Sequence, residues 1–389
     1  MTGIPLSVLD LSPVSAGSTP QQALRNTIDL ARHAESWGYR RFWLAEHHFV
    51  QVASSASITL IGLVAAATET IRVGSAAVQL GHHTSASVVE AFGTIDALYP
   101  GRLDLGLGRS GHRGPQLRGE GAPPAAPPRE TEVRDGVVIP PPFSPGQFLN
   151  LSRLLAGQAA LQLPGAQPIE YTRQVHEIRA LLDGSYETPD GVALHAVPGE
   201  GADIELWLFG SSGGESARLA GQLGLPFAAN YHVSPGTILE TVAAYRDSFK
   251  PSIRHPKPYL VVSADVVVAE DESAAQRLAA SYGHWVYSIR SGAGADAYQD
   301  PDTAGALTGE QRQLIEDRLA TQFVGTPAQV AARLTALQEL TGADEIVITS
   351  VTFRHADRLN SHRLLAREWG LTGANGSAPV DAVVTNGSR

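Results

Sequence analysis

The sequence predicts an α/β protein of the (β/α)8 TIM-barrel class. Strand-like and helix-like segments alternate along the chain, which implies βαβ units and a parallel sheet. Eight strand segments can be counted, each followed by a helix, and eight is the number that closes a barrel. No Gly-x-Gly-x-x-Gly turn follows the first strand, which disfavours the doubly wound open sheet.

Pro5 to Asp10 is a short apolar run closed by a Ser-Pro turn and reads as strand one. Gln21 to Trp37 repeats Leu24, Ile28, Ala31 and Ala34 at helical spacing, with Thr19-Pro20 as the start and Gly38 as the cap. Tyr39 to Ala45, Ile71 to Leu80 and Arg102 to Gly108 read as strands two to four. Between them lie helices over Ser57 to Thr68 and Ser87 to Leu98, the latter stopped by Tyr99-Pro100-Gly101. Residues 112–168 then form a long Pro/Gly-rich insertion after strand four, expected to act as a lid or a loop, with Asn150 to Gln162 able to form a helix inside it.

Alternation resumes with a helix over Tyr171 to Leu182 and strand five over Ile204 to Gly210. Helix Gly214 to Leu223, strand six Pro226 to Tyr231 and helix Gly236 to Phe249 follow. Strand seven, Tyr259 to Ala269, leads into a helix over Ser273 to Ile289 and a smaller insertion, 291–308. Helices Glu310 to Thr321 and Thr326 to Leu340, strand eight Asp344 to Thr349 and helix His355 to Trp369 complete the pattern. The expectation is one barrel domain over 1–370 and a flexible tail over 371–389.

Charge and composition narrow the function. At 389 residues with a net charge of −10, the chain lacks the basic balance of a nucleic-acid binder. The absence of cysteine removes thiolate catalysis and Cys-based metal sites, and suits a reducing cytoplasm. With no signal-peptide pattern and no apolar run of membrane-spanning length, the expectation is a soluble, cytoplasmic protein with no membrane partner.

Barrel active sites lie at the C-terminal ends of the strands. Strand two ends in Glu46-His47-His48, and alternation puts Trp43, Ala45 and His47 on one face. His47 can serve as a general base or hydrogen-bond donor, tuned by Glu46 or His48; alternatively both imidazoles satisfy loop carbonyls. Strand three ends in His82-His83, a second pair expected near the first. A metal centre would need a further ligand at a strand end, and the cation Arg109 after strand four argues against one, so no metal ligands are assigned.

Gly106 and Gly108 allow a flat ligand or another backbone to come close, and Arg109 is placed to pair with a phosphate. Ser211-Ser212-Gly213-Gly214-Glu215-Ser216 opens a helix whose N-terminus favours an anion, completing a phosphate clamp with Arg109.

Taken together, Phe42-Trp43-Leu44-Ala45-Glu46-His47-His48-Phe49, Val73-Gly74-Ser75-Ala76-Ala77-Val78 and Pro100-Gly101-Arg102-Leu103-Asp104-Leu105-Gly106-Leu107-Gly108-Arg109 resemble the luciferase-like flavin monooxygenase superfamily. Ala91 to Asp96, Phe323 to Pro327 and Asp344 to Ile346 extend the resemblance. It implies reduced FMN as cofactor, or the deazaflavin F420 in a sister branch that transfers hydride. The implied reaction is peroxyflavin chemistry with O2 on a small organic substrate, with a separate flavin reductase as partner and a homodimeric assembly. His47 matches the catalytic histidine with Glu46 beside it, and Ala76-Ala77 a cis peptide beneath the flavin ring. Arg109, Ser212, Gly213 and Ser216 match the phosphate contacts. A metallohydrolase and a non-catalytic flavin-binding paralogue are the readings from other classes.

Overall fold

The computed structural model describes residues 3–109, 130–143, 151–166, 169–292 and 294–373. Residues 112–129, 144–150 and 167–168 of the insertion assigned to a lid, and the tail beyond residue 373, lie outside the described residues.

Eight staves close a parallel barrel: β1 (Leu6–Asp10), β2 (Arg41–Leu44), β3 (Arg72–Ser75) with β4 (Val78–Gln79), β5 (Leu103–Gly108), then β8 (Glu205–Gly210), β9 (Phe227–Ala229), β10 (Leu260–Val268) and β12 (Glu345–Thr349). β1 pairs with both β2 and β12, which closes the ring. All eight expected strands are staves. Between β5 and β8 lies a two-stranded hairpin, β6 (Glu132–Arg134) and β7 (Val137–Ile139), and β11 (Phe323–Gly325) pairs with the end of β10.

Strand alternation decides what faces inward. Val8, Phe42, Leu105 and Leu208 point outward into the layer under the helices, which includes Leu30, Ile61, Phe92, Ile178 and Leu365. Leu9, Trp43, Trp207, Phe209, Val261 and Val347 fill the barrel. The lower layer is charged. Arg41 bonds Asp104 at 2.9 Å, Glu205 at 2.8 Å and Glu345 at 3.1 Å, and its guanidinium lies 4.7 Å from the Trp207 ring centroid. Trp43 Nε1 donates to Asp104 at 2.8 Å, and Tyr259 Oη to Glu345 at 2.8 Å. This plug closes the N-terminal end, so access to the interior is from the C-terminal mouth.

Some elements differ from expectation. Strand three breaks at a cis peptide between Ala76 and Ala77, and Leu80–His82 winds into a 3-10 turn. The helix expected over 273–289 is two, Glu272–Ala279 and Tyr282–Arg290. The first packs on β11, whereas the second turns so that Tyr282, Trp285 and Val286 join the inner cluster. Gly106 serves a backbone rather than a flat ligand, since a Cβ there would meet Ser75 O at 2.1 Å and the Phe209 ring at 2.4 Å. Leu371 packs on the core, and its N–H bonds Ala366 O at 2.9 Å.

Candidate active site

A cavity of about 360 Å³ opens at the C-terminal mouth and takes wall residues from all eight staves. His47 continues the inward face set by Trp43 and Ala45, and all three line the cavity. Its imidazole is accessible from the cavity and makes no hydrogen bond among the described residues. Protein surrounds it on the other sides, and this enclosure pushes its pKa below the ordinary value. Glu46 opposes that shift and His48 adds to it. His47 is therefore neutral near pH 7 and can either accept or donate a proton.

Glu46 faces away from His47. Its carboxylate accepts from His48 Nε2 and His83 Nε2, both at 3.1 Å, and from Ser57 Oγ at 2.9 Å. Burial works against ionisation, but these bonds outweigh it and hold the pKa at about 2. The two His pairs meet, as expected, with the His48 and His82 rings 5.8 Å apart. They meet around a hydrogen-bonded carboxylate, and among the described residues no group of three or more His, Asp or Glu is arranged to hold a metal ion. The expected tuning of His47 by Glu46 is thus electrostatic, without a hydrogen bond.

Ala76 and Ala77 form the wall next to His47, and Gln79 from the same segment donates to the Glu46 carbonyl. Further round, Arg109 lies with Ser211, Ser212, Glu215 and Ser216 on the cavity. Adjacency of β5 and β8 brings them together. Arg109 Nη1 bonds Glu215 at 2.8 Å, and Thr172 Oγ1 bonds the other Glu215 oxygen at 2.9 Å. The helix Glu215–Gln222 begins at Gly214 with no side-chain cap, so its first-turn N–H groups face the loop. Gly213 is not on the cavity wall; a Cβ there would meet Glu240 O at 3.0 Å, so close helix packing explains the glycine.

The facing wall was not read from the sequence. His232 hydrogen-bonds Ser263, and burial first, then the charges of Arg318 and His47, lower its pKa to about 3. Asp265 accepts from Gln322 at 3.1 Å, and burial raises its pKa to about 6 against Arg318, Gln322 and Tyr282. Arg318, from helix Gly309–Thr321, donates to Tyr282 Oη at 2.8 Å. The signal for His232 and Asp265 was the inward parity of Ala228 to His232 and of Val261 to Asp265; a lone helical arginine gives none.

A luciferase-like monooxygenase family model matches residues 4–132 and 166–344. A luciferase-like monooxygenase of Escherichia coli (strain K12) is 34% identical over 93% of this chain and 96% of its own length. The crystal structure of apo-MsnO8 superposes with a TM-score of 0.74 at 31% identity, covering 95% of this chain and 98% of that one. At the level of fold alone, the chain is also similar to the FMN complex of the oxygenating constituent of 3,6-diketocamphane monooxygenase from Pseudomonas putida (19% identity, TM-score 0.62, 94% and 98% covered). An F420-dependent secondary alcohol dehydrogenase resembles it likewise (14% identity, TM-score 0.55, 93% and 98% covered). By sequence and by fold, this chain belongs to the luciferase-like monooxygenase family.

Proposed function

We propose that the chain is a flavin-dependent monooxygenase that receives reduced FMN from a separate reductase and uses O2 to oxidise a small organic substrate. The observation that carries this reading is the convergence of His47, the Ala76–Ala77 cis peptide and the Arg109–Ser212–Ser216 group on one cavity. The donor chemistry fits a phosphate ester: one guanidinium, serine hydroxyls and an uncapped helix N-terminus. Glu215 fits as the residue that orients Arg109, since Thr172 holds its second oxygen.

Arg109, Ser212 and Ser216 would hold the phosphate, with Gly213 keeping the loop close to its neighbouring helix. Ala76 and Ala77 would support the ring system. Bound reduced FMN supplies the electrons that activate O2. Neutral His47 holds or moves the proton at its free ring nitrogen, while Glu46 fixes the loops on either side of it. A homodimer and a cytoplasmic location belong to the same reading, the latter supported by the lack of cysteine.

To test it, reduced FMN is bound without oxygen, oxygen is admitted, and flavin absorbance is followed. Reoxidation slower than that of free reduced FMN supports the reading; reoxidation at the free rate contradicts it.

A further inference from the structure

Arg318 is a buried cation that the flavin reading does not use. Its side chain is only 8% exposed, yet it lines the cavity. One terminal nitrogen donates to Tyr282 Oη at 2.8 Å, and Nε is buried without a hydrogen-bond partner. Among the described residues no carboxylate lies within ion-pair distance of it. Asp265 is bonded by Gln322 at 3.1 Å, and Asp317 is taken by Arg290 at 2.7 Å. The charges of Asp265 and Asp317 reach it only through space, without a direct ion pair, so the buried guanidinium keeps an unpaired donor that a ligand anion can take.

The location says which ligand. Arg318 lines the cavity with Asp265 of β10, on which its charge acts, and β10 lies four staves round the barrel from the Ala76–Ala77 segment. It is therefore on the facing wall, across the cavity from the surface proposed for the ring. It is also separate from the proposed phosphate clamp, since Arg109 follows β5, three staves from β10. Trp285 and Ile289 line the same cavity and offer an apolar surface for a hydrocarbon body. An anion held here sits on the side open to the substrate.

We infer that Arg318 forms a carboxylate-binding subsite, so that the substrate of this chain is a small, largely apolar molecule carrying a carboxylate. The inference rests on the flavin reading only in naming that ligand as the substrate. The planar fork matches a carboxylate bidentately, and the unpartnered Nε is one of its donors.

The test compares hexanoate with hexanamide, a neutral probe of nearly the same shape, by intrinsic fluorescence, because Trp43 and Trp285 line the cavity. The wild-type protein should bind hexanoate roughly tenfold more tightly, as a charge-assisted pair implies. Arg318→Gln should bring the two probes to about equal affinity, and Arg318→Lys should retain part of the preference. Arg109→Gln should leave the preference in place. Equal binding by the wild type, a preference that survives Arg318→Gln, or one lost in Arg109→Gln instead overturns the inference. If Arg318→Gln does not fold, the wild-type and Arg318→Lys measurements decide. Neither probe needs flavin, so a missing preference in a protein that binds FMN sinks this inference alone. A preference in a protein that does not bind FMN sinks the flavin reading alone.

Discussion

Oε1 of Glu46 lies 3.1 Å from Nε2 of His83, 37 residues further along the chain. That bond ties the segment after β2 to the segment after β4, and the His48 bond to the same oxygen closes the tie. His47 sits between the two anchors and is thereby turned toward the cavity. Removing one member of a buried, charged hydrogen-bond group costs about 3–5 kcal/mol. Glu46→Ala should lower unfolding stability by an amount in that range, read from the urea midpoint. Glu46→Gln keeps the shape and should lose less; equal losses in the two would show that the charge contributes nothing.

His47 has a different role, and its variant should behave differently. His47→Ala should lower turnover by at least about 100-fold, the usual contribution of a positioned acid or base. Binding of FMN should stay within about an order of magnitude, because the clamp of Arg109 and the serines is untouched. Full activity in His47→Ala would remove the catalytic assignment.

Arg109→Ala separates binding from chemistry in the opposite sense. Loss of a charge-assisted contact to phosphate should weaken FMN binding by about 10- to 100-fold in an equilibrium titration. Riboflavin, which lacks the phosphate, should bind the variant and the wild type alike. A parallel loss for riboflavin would mean that the arginine supports the ring or the fold.

Buried histidines set the expected acid sensitivity. His232 and His362 have folded pKa values lowered to about 3 and about 4, in each case by burial first. The unfolded chain then binds more protons than the folded one below about pH 6.5, so stability falls as pH drops through that window. Asp265 works in the opposite direction between its folded value of about 6 and its unfolded value near 3.8. The net effect is a decline from about pH 6.5 to 4.5, which Glu46 extends below 4.5 toward its folded value of about 2. His232→Gln should flatten the upper part of that decline in thermal unfolding, and an unchanged slope would contradict the assignment.

Most of the barrel was legible because each stave carries its own period and turn signals. Phe42 and Trp43 on opposite faces of one strand are readable without any neighbour. The His47 wall and the Arg109 loop were readable for the same reason, being strand-end residues. The Asp135-Gly136 hairpin carried a readable signal, two turn residues between Arg134 and Val137, that Pro-rich surroundings masked; both adopt positive φ. The Arg41 plug and the Arg318 wall could not be read, because they join residues far apart in sequence that only barrel closure brings together. Arg41 meets Glu345 across 304 positions. Nothing in the local pattern around either residue names the other.

The central claim is that this cavity takes reduced FMN and delivers its electrons to oxygen. The most direct measurement is a paired anaerobic titration with reduced FMN and reduced F420, followed by admission of oxygen. Reduced FMN should bind saturably, about 10- to 100-fold more weakly in Arg109→Ala, and on oxygenation the flavin absorbance change should outlast reoxidation of free FMN. Saturable binding of F420 with none of FMN would contradict it.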